Sequence, residues 1–261
     1  DNMSMEEYWE FTKQWLTEAF NVLKSDGRIA VNIPYEVNVQ DRGGRVLFMS
    51  EFWSIMKEVG FKFYGLVDLN EDSPHRSKTT AWGSWMSPSS PYIYNPKECV
   101  ILAYKKHHIK KVKGEPQWVG TIDEIEQEDG TFKKKTVYLE DDKKEFMELV
   151  FGQWKYLNDS RPMTKATFSM DIPMKAIKIL SYKNDIILDP FAGSSTTGVA
   201  SLKNNRKFIG IDLVEFNIDF GTKRMNHFLE TGETYIPKNI LEDKGIDVNY
   251  YKIKGKHINN P

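Results

Sequence analysis

Ile186-Ile187-Leu188-Asp189-Pro190-Phe191-Ala192-Gly193-Ser194-Ser195-Thr196-Thr197-Gly198 decides the fold. An apolar run of strand length ends in an acid and enters a turn of small and hydroxyl-bearing residues that opens a helix. Such a turn lets backbone N–H groups come close to a ligand, and a helix start favours negative charge. Ten residues further on, Phe208-Ile209-Gly210-Ile211-Asp212 is a second strand ending in an acid. A carboxylate there can accept hydrogen bonds from both hydroxyls of a ribose. On spacing alone, an ordinary strand–turn–helix and a nucleotide-type site both fit. The missing G-x-G-x-x-G disfavours a dinucleotide fingerprint, and the missing Gly-Lys-Ser/Thr disfavours a phosphate-binding loop.

Upstream of this stretch the chain alternates helix and strand. Residues 4–24 read as an amphipathic helix, with Ser4 as N-cap and Glu7 at capping-box spacing. Residues 28–33 read as a buried strand, 47–59 as a helix stopped by Gly60, 61–69 as a strand and 99–104 as another. This is the rhythm of a parallel α/β sheet. Around the motif, 173–182 reads as a helix, 185–189 as a strand, a helix starts at 199–202, 208–212 is a strand and 215–229 a helix. Residues 231–261 read as a loose tail.

Two regions interrupt the rhythm. Residues 70–97 form a long loop, and loops of that length inside a domain are usually functional. It carries His75, Arg76, Lys78, Trp82 and Trp85, cations interleaved with aromatics that suit phosphate contact and base stacking. A loop packed by its own aromatics fits equally well. Then Lys105, Lys106, Lys110, Lys111 and Lys113 cluster before an acidic stretch at 123–129, and a small hairpin closes at Gly130. A charge run is usually a solvated face, but the lysines could track a phosphate backbone, and where the run falls in the chain favours DNA contact. Residues 105–165 therefore read as an insert on the main sheet.

Composition sets the bounds. The chain has 261 residues, 40% hydrophobic and 28% charged, with a formal net charge of -1, so any basic face must be local. Its single cysteine, Cys99, excludes a disulfide framework and fits a reducing, cytoplasmic setting. No apolar run approaches the roughly 20 residues that span a bilayer, and no basic-then-apolar leader opens the sequence. His107 and His108 lack a third ligand at metal spacing, so no metal is expected.

Asp189 through Thr197 resembles the S-adenosylmethionine-binding motif of the amino-methylating DNA methyltransferases, whose usual form is D-P-F-x-G-S-G-T-T. Ser195 stands where that pattern has its second glycine. Thr167-Phe168-Ser169 through Ile172-Pro173 resembles the family's other cofactor motif, just upstream. The resemblance implies S-adenosyl-L-methionine as cofactor, held by Asp189, Pro190, Phe191, Ala192, Gly193, Ser194, Ser195, Thr196 and Thr197. It places Phe168 or Ser169 near the methionine end and Asp212 near the ribose. The cofactor motif follows residue 185, the order of the permuted beta group. The implied fold is the class I, Rossmann-like α/β domain: a mixed, mostly parallel seven-stranded sheet with an inserted target-recognition region. Residues 1–104 then form the catalytic-side half, 105–165 the recognition insert, 166–230 the cofactor half and 231–261 the tail.

The family's catalytic S/D/N-P-P-Y/F/W motif is absent from the sequence. Asn32-Ile33-Pro34-Tyr35 comes near it but follows the wrong strand. The motif belongs upstream of the helix at 4–24. The expectation is a chain that begins inside a longer protein, or one whose N-terminal piece comes from another chain, and no catalytic residue is assigned. The resemblance implies methyl transfer to adenine N6 or cytosine N4 of a base flipped from double-stranded DNA. A restriction-modification setting, with an endonuclease partner system, and a homodimer are among the arrangements it allows. Two other functions fit: a DNA- and cofactor-binding subunit that needs the missing motif, and a methyltransferase acting on RNA or a small molecule. Methylation of cytosine carbon would need a cysteine nucleophile, and Cys99 in an apolar strand reads as structural.

Overall fold

The computed structural model describes residues 3–39, 44–71, 84, 86–91, 93, 95, 97–128, 131–157 and 169–236. In chain order the elements are α1 (Met5–Val22), β1 (Arg28–Pro34), β2 (Val37–Val39), β3 (Gly44–Val46), α2 (Phe48–Val59), β4 (Lys62–Glu71), β5 (Glu98–Tyr104), β6 (Thr121–Glu126), β7 (Phe132–Val137) and α3 (Glu140–Val150). Then come β8 (Gln153–Tyr156), α4 (Asp171–Leu180), β9 (Ile186–Asp189), α5 (Thr196–Lys203), β10 (Lys207–Gly210) and α6 (Glu215–Thr231). The chain divides into two compact units, Asp1–Lys113 with Met147–Tyr156, and Gly114–Phe146 with Leu157–Pro261.

The first unit is built on a four-stranded sheet in the order β1-β5-β4-β8. Strand β5 is antiparallel to both β1 and β4, so those two run the same way, and β8 lies parallel to β4. Alternation puts Ile33, Cys99, Ile101 and Ala103 on one face, where they bury against Leu16 of α1 and Phe52 and Met56 of α2. The capping box forms as read: the Glu7 N–H donates to Ser4 Oγ at 3.2 Å, and Glu7 accepts the Ser4 N–H at 2.8 Å. Gly60, at φ 113, ends α2 in the left-handed conformation that suits glycine.

In the second unit, β9 and β10 pair in parallel, and α5 packs on both strands and against α4 and α6. The β6–β7 hairpin is exposed and laced by cross-strand charge pairs, Asp123 opposite Lys135 and Glu124 opposite Lys134. Glu145 of α3 ties the inserted segment to α4. It accepts from Trp118 Nε1 at 2.8 Å and from the Lys178 ammonium. Burial pushes the Glu145 carboxyl up, but those two donors outweigh it and leave it below the usual range.

The expected helices and strands recur within a few residues of their expected bounds. Helix α3, strand β8 and the β2–β3 pair are additions. Within the segment 105–165 expected as an insert, Met147–Tyr156 groups with the first sheet. The reason is Gln153-Trp154-Lys155-Tyr156, a short alternation whose aromatics are buried while β8 completes the edge beside β4. None of the described helices is long and apolar enough to cross a membrane.

Trp154 is 1% exposed and donates its indole N–H to the Leu149 carbonyl at 2.9 Å. Trp154→Ala is expected to cost about 3–5 kcal/mol by urea denaturation, whereas Val22→Ala, at an exposed helix position, should stay within about 0.5 kcal/mol. A Trp154 variant with wild-type stability would mean that β8 is not part of the sheet's core.

Candidate functional site

Strand β9 ends at Asp189, whose Oδ1 accepts the Phe191 N–H at 3.0 Å. The ladder to β10 continues past the strand ends. The Ile211 N–H donates to the Asp189 carbonyl, and the Ala192 N–H to the Ile211 carbonyl, both at 2.9 Å. Gly193 and Ser195 then take left-handed conformations, at φ 50 and φ 56. Asp212 braces the turn from the neighbouring strand. Its Oδ2 accepts the Gly193 N–H at 2.9 Å, and its Oδ1 accepts from the Val214 N–H at 2.8 Å and Asn217 Nδ2 at 2.9 Å. The two acids singled out in the sequence thus meet at one turn.

The departure at Ser195 has a structural answer. A non-glycine residue in the left-handed region costs about 1–2 kcal/mol. Its side chain is buried against α6, where a Cβ built on Gly221 would fall 2.2 Å from Ser195 Oγ. Gly221 therefore leaves the space that Ser195 fills. Gly198 does the same for the packing of α5, since a Cβ there would fall 2.6 Å from Met225 Sδ and 2.8 Å from the Phe208 ring.

The remaining motif residues divide by exposure. Ala192, Ser194, Ser195 and Thr196 are buried, Pro190, Gly193 and Thr197 are half-buried, and Phe191 is exposed. Helix α5 begins with no side-chain cap and no acid in its first turn, which leaves its N-terminal N–H groups suited to an anionic ligand group. Ser169 is buried at the start of α4, where its Oγ accepts the Asp171 N–H at 3.3 Å. Phe168 lies outside the described residues.

Residues not singled out in the sequence complete the turn. Asn217, Gly221 and Arg224 fall on one buried face of α6, at i, i+4 and i+7. Asn217 holds Asp212, Gly221 admits Ser195, and Arg224 Nη1 donates to the Ser194 carbonyl and to Thr196 Oγ1, each at 3.1 Å. The available signal was a polar stripe, Asn217, Arg224 and His227, at helical spacing on a helix that must bury one face.

Of the DNA-facing candidates, His75, Arg76, Lys78, Trp82 and Trp85 lie outside the described residues. The loop that carries them leaves the carboxyl end of β4, the end where open α/β sheets place their ligands. The lysine run sits at the other end. It follows Tyr104, which pairs with Arg28 and Lys62 at the amino ends of β1 and β4. Lys105 is also engaged elsewhere. Its ammonium donates to the carbonyls of Asn21 at 3.1 Å and Leu23 at 2.9 Å and lies 4.9 Å over the Phe20 ring. It supplies the cation that the last turn of α1 lacks. The Lys111 N–H donates to Asp26 at 2.8 Å, which holds that carboxyl below its usual range against the effect of burial, and Lys110 adds to the lowering. Lys106, Lys111 and Lys113 are exposed.

His108 stacks on Tyr64 with ring centroids 4.9 Å apart. Among the described residues no group of three or more His, Cys, Asp or Glu could hold a metal ion. Cys99 is buried, and burial, then the charges of Asp68 and Glu98, push its thiol up to about 12, so it is an inert thiol. The Asn32–Tyr35 stretch is used internally. Tyr35 donates its hydroxyl to Asp68, and Asn32 Nδ2 donates to Glu98 at 2.8 Å.

Comparison with known proteins gives this turn its family. The sequence model of the N6/N4 methyltransferases, described as DNA methylase, matches residues 1–223. The chain belongs to this N6/N4 DNA methylase family. It is 41% identical over 115 residues to the type II methyltransferase M.MjaVI of Methanocaldococcus jannaschii, a match covering 44% of this chain and 57% of that protein. The chain thus spans little more than half the length of that relative. Two crystal structures share its α/β fold and mixed sheet. One is a Thermus thermophilus protein described as a DNA modification methylase, complexed with S-adenosyl-L-methionine (TM-score 0.61, 17% identity, 85% of this chain and 78% of that one). The other is the cytosine-N4-specific PvuII DNA methyltransferase (TM-score 0.61, 16% identity, 97% and 79%).

The pairing of Ser195 with Gly221 predicts a coupled pair. Gly221→Ala is expected to destabilise the protein by about 1–3 kcal/mol, and Ser195→Gly to be neutral or stabilising. The double variant should recover most of the loss in a denaturation cycle. Strict additivity would show that the two residues do not compete for one space.

Proposed function

We propose that this chain transfers a methyl group from S-adenosyl-L-methionine to an exocyclic amine of a flipped DNA base, adenine N6 or cytosine N4. The observation that carries the reading is the Gly193–Asp212 brace: in a chain of this family, a strand-end acid closes a turn that opens an uncapped helix. The donor set fits the cofactor. The N–H groups at the start of α5 suit its carboxylate, Asp212 suits the ribose hydroxyls, and exposed Phe191 offers an apolar surface. Pro190, Ala192, Ser194, Ser195, Thr196 and Thr197 shape that turn, and Asp189 fixes its entry through Phe191. Phe168 or Ser169 is proposed near the methionine end.

When bound, the cofactor supplies an electrophilic sulfonium methyl. The protein's part is to hold it rigidly, since positioning supplies much of the acceleration of an in-line transfer. The amine needs acceptors that localise its lone pair. No residue of the chain is proposed as that acceptor, and Cys99 is no candidate nucleophile. DNA contact is proposed for the loop bearing His75, Arg76, Lys78, Trp82 and Trp85. Lys106, Lys110, Lys111 and Lys113 are kept as a weaker phosphate contact, and Lys105 is dropped because α1 uses its charge.

We further propose the permuted, mostly parallel seven-stranded arrangement. Its support is the chain order, with the β9 turn last, and the parallel β4–β8 and β9–β10 pairs, with β5 the antiparallel member between β1 and β4. The recognition segment is proposed within residues 105–146, on the exposed β6–β7 hairpin. A restriction-modification setting follows the names of the relatives, and a cytoplasmic location follows the lone reduced cysteine.

The test is tritiated-methyl transfer to duplex DNA followed by nucleoside analysis. N6-methyladenine or N4-methylcytosine supports the proposal. Tight cofactor binding without transfer points to a binding subunit, and transfer only to RNA or a small molecule overturns the DNA assignment. Asp212→Ala is expected to weaken cofactor binding about 10–100-fold, the loss of hydrogen bonds to a charged group. Arg76→Ala should weaken DNA binding with cofactor affinity unchanged, and equal DNA binding at moderate salt would exclude that contact.

A further inference from the structure

Arg224 is 1% exposed, and its guanidinium reaches two parts of the chain. Toward the turn, Nη1 donates to the Ser194 carbonyl and Thr196 Oγ1, with Ser194 Oγ at 3.4 Å. Toward the residues after α6, Nε donates to the Thr234 carbonyl at 3.0 Å, and the group lies 4.9 Å over the Tyr235 ring. Gly232, at φ 77, turns the chain at the end of α6. Glu233 meets His227 at 3.3 Å, and Ile236 is 3% exposed. Residues 233–236 are therefore packed on α6, unlike the loose tail expected from residue 231.

We propose that Arg224, covered by Tyr235, is a positioning residue of the cofactor site, and that the start of the expected tail belongs to that site. The proposal rests on the cofactor reading of the turn. Each of these contacts is to a neutral group: two carbonyls, two hydroxyls and a ring face. Arg224 Nη1 holds the Ser194 carbonyl and the Thr196 hydroxyl of the segment at the mouth of α5. That segment contains the left-handed Ser195, the one place in the turn where an L side chain resists the required shape. Arg224 grips the residues on either side of it. Its influence should fall on the amino-acid end of the cofactor and spare the adenosine end.

Calorimetry on the full chain separates these ends, using S-adenosylhomocysteine and methylthioadenosine, which lacks the amino-acid group. Arg224→Met is expected to weaken S-adenosylhomocysteine about tenfold or more, roughly the value of one charged hydrogen bond, and methylthioadenosine far less. Arg224→Lys should restore part of the loss. Tyr235→Leu should give a smaller loss of the same kind and add little to Arg224→Met. Unchanged S-adenosylhomocysteine binding, or equal loss of both ligands, overturns the proposal. If Arg224→Met loses cooperative unfolding, Tyr235→Leu decides by the same two outcomes. A wild-type chain that binds neither ligand defeats the cofactor reading itself, and this inference with it.

Discussion

Asp212 accepts the Gly193 N–H with one carboxylate oxygen and the Val214 N–H and Asn217 amide with the other. This carboxylate joins the end of β10, the turn after β9 and the first residues of α6. A carboxylate offers about four lone-pair directions, and three are taken. In the proposed cofactor site, a ribose diol would share or displace one of the internal donors. On the cofactor proposal, the ligand's arrival and the shape of its turn are coupled through this one carboxylate. Everything around it serves that geometry: the left-handed Gly193 and Ser195, the gap at Gly221 and the guanidinium of Arg224.

Most of the fold was legible because it is written in long periodic segments. Helices α1 and α2 show clear hydrophobic periods, β5 is an apolar run of strand length, and Gly60 marks a stop that the structure uses. Strand β8 escaped because four residues carry too little period to declare themselves, and their meaning comes from pairing with β4, far away in sequence. Helix α3 escaped because its face is mostly charged and only Leu149 is buried. Its hold on α4 through Glu145 is a tertiary contact that no local pattern announces.

Of the candidate site, the two strand-end acids and the turn were legible, because local spacing determines them. Its support was not. The space for Ser195 is made by Gly221, and the grip on Ser194 and Thr196 comes from Arg224, residues separated from the turn by α5, β10 and the first turns of α6. The lysine cluster shows a different limit of local reading. Five cations lie close in sequence, but the run starts just after Tyr104, which pairs at the amino ends of β1 and β4, and the Lys105 ammonium is engaged by α1. Charge density along a sequence does not fix which end of a sheet it occupies.

The central claim is that the cofactor enters the turn braced by Asp212. The most direct measurement is an amide NMR titration of the chain with S-adenosylhomocysteine. The Gly193 and Val214 resonances, both donors to Asp212, should move together with those of 190–197 and saturate at one dissociation constant, while 105–113 stay fixed. Saturable binding that leaves Gly193 and Val214 unmoved would contradict it.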